Sequence, residues 1–112
     1  MDALQAHLLE LKKSYTRRLP EKIACIETAF TGFFASAWEE RACSESHRLI
    51  HSLTGSSGTF GYPDICRVAR RAEDILKASL DSRTPPGVNQ QQEALRLCTR
   101  LKELADEAFR TL

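Results

Sequence analysis

The sequence has almost no excess of charge of either sign. Its 112 residues include 16 lysines and arginines and 15 aspartates and glutamates, which gives a formal net charge of +1. Proteins that bind nucleic acid or anionic membranes usually attract them with a strong positive field. We therefore expect neither as a partner, and any other partner must be recognised by a local patch.

Several other features are missing. No apolar run approaches the roughly 18 residues of a membrane-spanning helix, and the first residues lack the charged-then-apolar pattern of a secretory signal. The four cysteines form no CxxC pair, which is typical of buried free thiols in a reducing compartment. No phosphate loop of the GxxxxGKS or GxxxxGKT type is present. We expect a cytoplasmic protein with no ATP site and no bound cofactor.

Helical periodicity predicts an all-α fold over residues 1–112. A chain of 112 residues with 42% hydrophobic content suits one domain with one core. Turn signals lie at Pro20, at residues 61–63 and at residues 81–87, and no segment alternates with the period of a strand. These short-looped amphipathic segments predict an antiparallel four-helix bundle with an additional or bent N-terminal helix.

The helix boundaries follow from local signals. Leu4, Leu8, Leu11 and Tyr15 form one apolar stripe, and Pro20 is expected to end or bend that helix and to begin the next. Residues 36–39 fit a capping box at the start of the following helix. Residues 62–64 place a proline and an acid in the first turn of another helix.

An exposed histidine and two glycines distinguish the helix after residue 36. On a helical wheel of about 100° per residue, His51 lies opposite the apolar residues. The same predicted surface carries His47, Arg48, Thr54, Gly55 and Gly58. A glycine inside a helix costs about 1 kcal/mol relative to alanine. We therefore predict that Gly55 and Gly58 clear space for another macromolecule to reach His51.

The segment HSLTGSSGTFG, residues 51–61, resembles the signature of the histidine-containing phosphotransfer (HPt) domain family. It is also similar to the phosphotransfer domain of chemotaxis kinases. RVARRAEDIL, residues 67–76, resembles the next helix of the family, with Glu73 at a recurrent acidic position, and RRLPEKIACIETAF, residues 17–30, resembles the entry to the bundle. The resemblance implies phosphorylation of His51 at Nε2. Thr54 departs from the pattern because it occupies the place of the usual lysine.

This resemblance implies a phosphorelay intermediate. His51 accepts a phosphoryl group from a receiver-domain aspartyl phosphate and passes it to the receiver of another response regulator. The partners are receiver domains and a hybrid sensor histidine kinase, and Mg²⁺ is expected in the partner receiver. The ordinary pKa of a histidine side chain is about 6.5, so at physiological pH its imidazole is largely neutral and nucleophilic. We expect a monomeric phosphocarrier rather than an enzyme.

Four arginines are candidate docking residues for an acidic receiver surface: Arg48, Arg67, Arg70 and Arg71. A basic patch speeds the encounter with such a partner. One of these arginines can also supply the positive charge that Thr54 lacks; His47 is a further candidate neighbour of the phosphate.

Two alternatives remain open. Cys43, His47 and His51 stand at i, i+4 and i+8, and two histidines at i, i+4 can bind zinc. Three ligands in one row cannot complete a tetrahedron, and the glutamate of HExxH is absent, so we expect no metal. The other alternative is a non-phosphorylated interaction module, in which His51 only contacts a partner.

Overall fold

The computed structural model describes residues 2–112, which form four helices. These are α1 (Ala3–Ala35), α2 (Glu40–Thr59), α3 (Pro63–Ser82) and α4 (Val88–Arg110). Each helix packs on two others: α2 on α3, α3 on α4, α4 on α1 and α1 on α2. The short linkers make consecutive helices antiparallel. The predicted all-α four-helix bundle is confirmed. Over residues 2–112, no helix has the length and apolar content needed to cross a membrane.

Of the two outcomes expected at Pro20, an end or a bend of the helix, the end is wrong, because α1 continues through Pro20. A proline inside a helix removes one hydrogen bond and costs about 3 kcal/mol. Pro20 is exposed, whereas Leu19 and Ile23 beside it are fully buried in the core. Burial of a leucine or isoleucine side chain stabilises by about 1.5–3 kcal/mol. Packing on both sides of Pro20 therefore keeps one helix where local propensity predicts two.

The N-terminal apolar stripe lies largely outside the core. Leu4, Leu8 and Leu11 are 66%, 55% and 44% exposed, and of the stripe only Tyr15 is buried. α1 has 33 residues, whereas α2 and α4, on which it packs, have 20 and 23. The first turns of α1 therefore extend beyond the shorter helices that it packs against.

The predicted capping box at residues 36–39 is also absent. Ser36 is the C-cap of α1, and its hydroxyl donates to the Phe33 carbonyl at 2.8 Å. Glu39 is the N-cap of α2 and makes no side-chain capping bond. Phe30 and Phe33, in the last turns of α1, are buried in the core. Their packing favours a helix that extends to Ala35, the residue before Ser36. The predicted start of α3 at Pro63 is confirmed.

The turn between α2 and α3 sets the register of the functional face. Gly61 has φ of +82°, in the left-handed region that favours glycine, and the Tyr62 amide donates to the Ser57 carbonyl at 2.8 Å. From this turn the helices run antiparallel: Arg83 pairs with Glu40 at their far ends. His51 and Glu73 face each other between these points.

Candidate functional site

His51 combines an exposed ring with one strongly held nitrogen. Its side chain is 70% exposed, as predicted, and its Nδ1 lies 2.5 Å from Oε2 of Glu73, whose side chain is 14% exposed. An ionised carboxylate can only accept hydrogen bonds, so Nδ1 carries the proton of the neutral ring. The lone pair then lies on Nε2. The pair of residues thus selects the tautomer in which Nε2 is the nucleophilic atom.

Glu73 is held as a carboxylate. Burial raises the pKa of Glu73. The hydrogen bond with His51, the nearby Thr54 hydroxyl and the charges that His51 and His47 can carry all lower it. Together they outweigh burial, so the pKa of Glu73 lies below its ordinary value. At neutral pH the group is therefore ionised and acts as an acceptor. The sequence placed Glu73 only by resemblance and gave it no chemical role; the structure supplies one.

His47 lies one helical turn before His51 and is less exposed than predicted. Its side chain is 24% exposed, and its Nε2 is 3.6 Å from the same Glu73 oxygen. The two imidazole rings stack with centroids 5.7 Å apart. Within residues 2–112 the buried His47 Nε2 has no hydrogen-bond partner. The structure therefore places two histidines and one carboxylate around a single point.

The predicted exposure of Thr54 is wrong. The residue is only 5% exposed, and its hydroxyl donates to the Ile50 carbonyl at 3.0 Å. The physical reason is that α2 packs on both α1 and α3. Its buried arc is therefore wider than its apolar arc and includes the small polar residues Ser46 and Ser57. Thr54 contributes no charge beside His51.

The two glycines leave an open surface, as predicted. Gly55 and Gly58 are exposed. A Cβ at Gly55 would meet no atom within 4 Å, and one at Gly58 would meet Cys66 Sγ at 3.6 Å, an ordinary contact. Packing within the chain therefore requires neither glycine, which is consistent with clearance for a partner.

The four candidate docking arginines are all exposed, but they lie beside different neighbours. Arg48 binds Glu45 at 2.5 and 2.9 Å and borders a groove with α1. Arg71 binds Glu93 of α4 at 2.8 Å. Arg48 and Arg71 thus lie on different flanks, and the single patch that we predicted is divided.

On α3, Arg67 pairs with Asp64 one turn earlier. Arg70 makes no ion pair with any residue of the described chain and stands three residues before Glu73, on the adjacent turn of the same helix face. Of the three α3 arginines, Arg70 is therefore the one whose charge is not paired within the described residues.

The end of α2 is fixed by contacts with α1 and the turn. The Tyr15 hydroxyl hydrogen-bonds Ser56 at 2.7 Å, and its ring stacks on Phe60 with centroids 4.3 Å apart. The Thr16 and Tyr62 hydroxyls hydrogen-bond at 2.6 Å. These links hold the glycine-bearing turns of α2 against the bundle.

Cys43 does not join the two histidines. It is fully buried, and its Sγ lies 3.8 Å from the Leu76 carbonyl. Burial raises the pKa of the Cys43 thiol. The row of Cys43, His47 and His51 at i, i+4 and i+8, the alternative that we expected not to bind metal, therefore does not form one cluster. Glu73, not the cysteine, lies beside the two histidines.

Comparison with known proteins gives one finding. A family model described as Hpt domain matches residues 4–109, nearly the whole chain. No curated protein and no solved structure matches.

Proposed function

The chain belongs to the Hpt domain family, whose members carry out histidine phosphotransfer in two-component signalling, and we propose that it is a phosphorelay intermediate with His51 as the phosphoacceptor. The observation that carries this proposal is the contact of His51 Nδ1 with Glu73 beside an otherwise exposed ring. Hpt domains are phosphocarriers that interact with receiver domains and kinases. Here a receiver-domain aspartyl phosphate is the donor and a second receiver is the acceptor.

The transfer requires little from this chain beyond an oriented nucleophile. The Nε2 lone pair of His51 attacks the phosphorus of the aspartyl phosphate, the N–P bond forms, and the bond from phosphorus to the aspartate oxygen breaks, which returns an aspartate carboxylate. The ring then holds a positive charge because Nδ1 keeps its proton. Glu73 stabilises that charge through its hydrogen bond, since bonds between charged groups are the stronger ones. Onward transfer reverses these steps.

The glycine surface supports docking of the donor. Phosphoryl transfer depends on the in-line approach of the two reacting groups, so the receiver must bring its aspartate to His51 Nε2. Gly55 lies one turn after His51 and has no neighbour where its Cβ would be. In this proposal the receiver supplies the positioning and the Mg²⁺.

We assign the missing lysine's charge to Arg70. In the antiparallel register, residue 51 lies opposite residue 73, so residue 70 lies opposite the turn that contains Thr54 and Gly55. An arginine there can reach phosphate oxygens and donate charge-assisted hydrogen bonds. Its proximity to Thr54 makes Arg70 a stronger candidate than Arg48, which is bound to Glu45.

The test is phosphate transfer from a receiver that carries radiolabelled aspartyl phosphate, taken from a panel of receivers of the same genome. We expect acid-labile label on wild-type protein, none on His51→Gln, and retained label on His47→Gln. His7→Gln is the matched control, since His7 is an exposed histidine on the N-terminal turns of α1. Label on His51→Gln, or localisation of the phosphate to His47, contradicts the assignment. A chain that binds receivers but takes no label is the non-phosphorylated interaction module.

A further inference from the structure

Two histidines and a glutamate converge at the functional face. The potential ligand atoms of His47, His51 and Glu73 all lie within 4.8 Å of one another. Imidazole nitrogen and carboxylate oxygen are preferred ligands of Zn²⁺, and His₂Glu is a known ligand set for zinc sites that keep one open position. Our expectation of no metal considered only one row of residues on one helix. The structure adds a ligand from α3.

The distances suit a metal with small side-chain movements. Tetrahedral zinc with bonds of about 2.0–2.1 Å separates its ligand atoms by about 3.3 Å. The separation of His47 Nε2 and Glu73 Oε2 is 3.6 Å, already close to that value. His51 Nδ1 and Glu73 Oε2 are 2.5 Å apart and must separate, which the 70% exposure of the His51 side chain permits.

The state of His47 is the independent observation. Its Nε2 is buried and finds no hydrogen-bond partner within residues 2–112. A buried polar atom without a hydrogen-bond partner destabilises the folded protein relative to one that has a partner. A cation bound between His47 and Glu73 would satisfy this nitrogen. The fourth position would face solvent beside the exposed His51 ring and take a water molecule.

We propose that the unphosphorylated protein binds one divalent transition-metal ion, of the Zn²⁺ class, through His47 Nε2, His51 Nδ1 and Glu73, and that the bound ion blocks phosphate acceptance. In the free protein the His51 proton is on Nδ1 and the lone pair on Nε2. A metal on Nδ1 uses that nitrogen's lone pair, so the proton of the neutral ring moves to Nε2. No proton is lost overall, but the nucleophilic lone pair at Nε2 is gone. The blocking effect, unlike the binding, rests on the proposed function.

The binding test titrates ZnCl₂ into metal-free full-length protein by calorimetry and by NMR of the histidine rings. We expect one ion per chain, with shifts of the His47 and His51 signals and none of His7. His47→Gln should weaken binding by at least about tenfold, since even loss of an outer-shell partner costs 10–100-fold. Cys25→Ser, which removes an exposed thiol, should bind as wild type does. Equal affinity in wild type and His47→Gln, or zinc-dependent shifts at His7 alone, overturns the site.

The blocking test compares phosphate acceptance with zinc and with a zinc-selective chelator in excess Mg²⁺, so that the receiver keeps its Mg²⁺, and each variant is compared with its own rate in the chelator. Zinc should inhibit wild-type protein and inhibit His47→Gln at least about tenfold less effectively. Equal inhibition of both means that zinc acts on the receiver and overturns the block. If no variant accepts phosphate even with chelator, the proposed function fails, while calorimetry still decides whether the metal site exists.

Discussion

Replacement of Glu73 by glutamine separates the two tasks that we assign to this carboxylate. The amide oxygen of glutamine can still accept the Nδ1 proton of His51, so the tautomer with the lone pair on Nε2 is retained. The negative charge that stabilises the phosphorylated, positively charged ring is lost. A hydrogen bond to a charged group contributes about 1.5–3 kcal/mol, against about 0.5–1.5 kcal/mol for a neutral one. The midpoints of these ranges differ by about 1.25 kcal/mol, which predicts transfer to His51 roughly eightfold slower in Glu73→Gln. Glu73→Ala, which also frees the ring, should be slower still.

The assay is the rate of label transfer from a phosphorylated receiver at saturating and at limiting receiver concentration. A loss confined to the rate at saturation fits a role at the reacting ring, whereas a loss confined to limiting concentration fits docking. Asp74→Asn is the matched control, because Asp74 is the next acid on α3, is exposed, and makes no ion pair within residues 2–112. Circular dichroism confirms that each variant folds. Transfer by Glu73→Gln at the wild-type rate would refute the reasoning.

Three further predictions follow from the same structure. Gly55→Ala should stabilise the fold by up to about 1 kcal/mol in denaturant unfolding, since a Cβ there meets nothing within 4 Å. Gly55→Gln should instead slow transfer by obstructing the receiver, and equal transfer by wild type and Gly55→Gln would remove the steric argument. Arg70→Ala should slow transfer and reduce its salt dependence more than Arg71→Ala, whose guanidinium is bound to Glu93; the reverse order would exclude Arg70 as the phosphate's cation. Burial raises the pKa of Cys98 to about 12, so Cys98 stays a protonated thiol below that pH. Mass spectrometry after iodoacetamide treatment at mildly alkaline pH should therefore find the exposed Cys25 modified before Cys98. Equal modification of the two would contradict the buried position of Cys98.

The sequence predicts His51 well because its exposure depends on one helix alone. A ring opposite the apolar arc of an amphipathic helix stays exposed whichever helices cover that arc. Thr54 is different, since its burial depends on where a second helix packs, and α3 covers part of the polar side of α2. The turn at Pro63 was predictable for a similar reason: proline favours a first helical turn locally. The outcome at Pro20 depended on the burial of Leu19 and Ile23 on both sides of it, which the sequence-based prediction did not weigh.

Glu73 shows what register adds to pattern. In sequence it is one of 15 acids, and only the family resemblance of residues 67–76 marks it. Its position opposite His51 follows from the length of the turn at Gly61 and from the antiparallel packing of α2 on α3, which together bring residues 22 apart into contact. Spacing along one helix therefore offered only Cys43 as a third member beside the two histidines, in an alternative that we expected not to bind metal. In the structure Cys43 is buried, and the Glu73 carboxylate is the third group beside the two histidines.

The shared carboxylate links the two proposals through the position of one proton. Phosphate acceptance needs the His51 proton on Nδ1, where Glu73 accepts it, and metal binding needs that nitrogen's lone pair instead. The same Glu73 oxygen lies 2.5 Å from His51 and 3.6 Å from His47, so it cannot hold the ring as a hydrogen-bond acceptor and complete a metal site at the same time. A variant that abolishes metal binding through His47 leaves the Glu73 to His51 hydrogen bond in place. Glu73→Ala removes both the metal ligand and the hydrogen bond, and comparison of Glu73→Ala with the His47 variant therefore separates the loss of the metal from the loss of the oriented nucleophile.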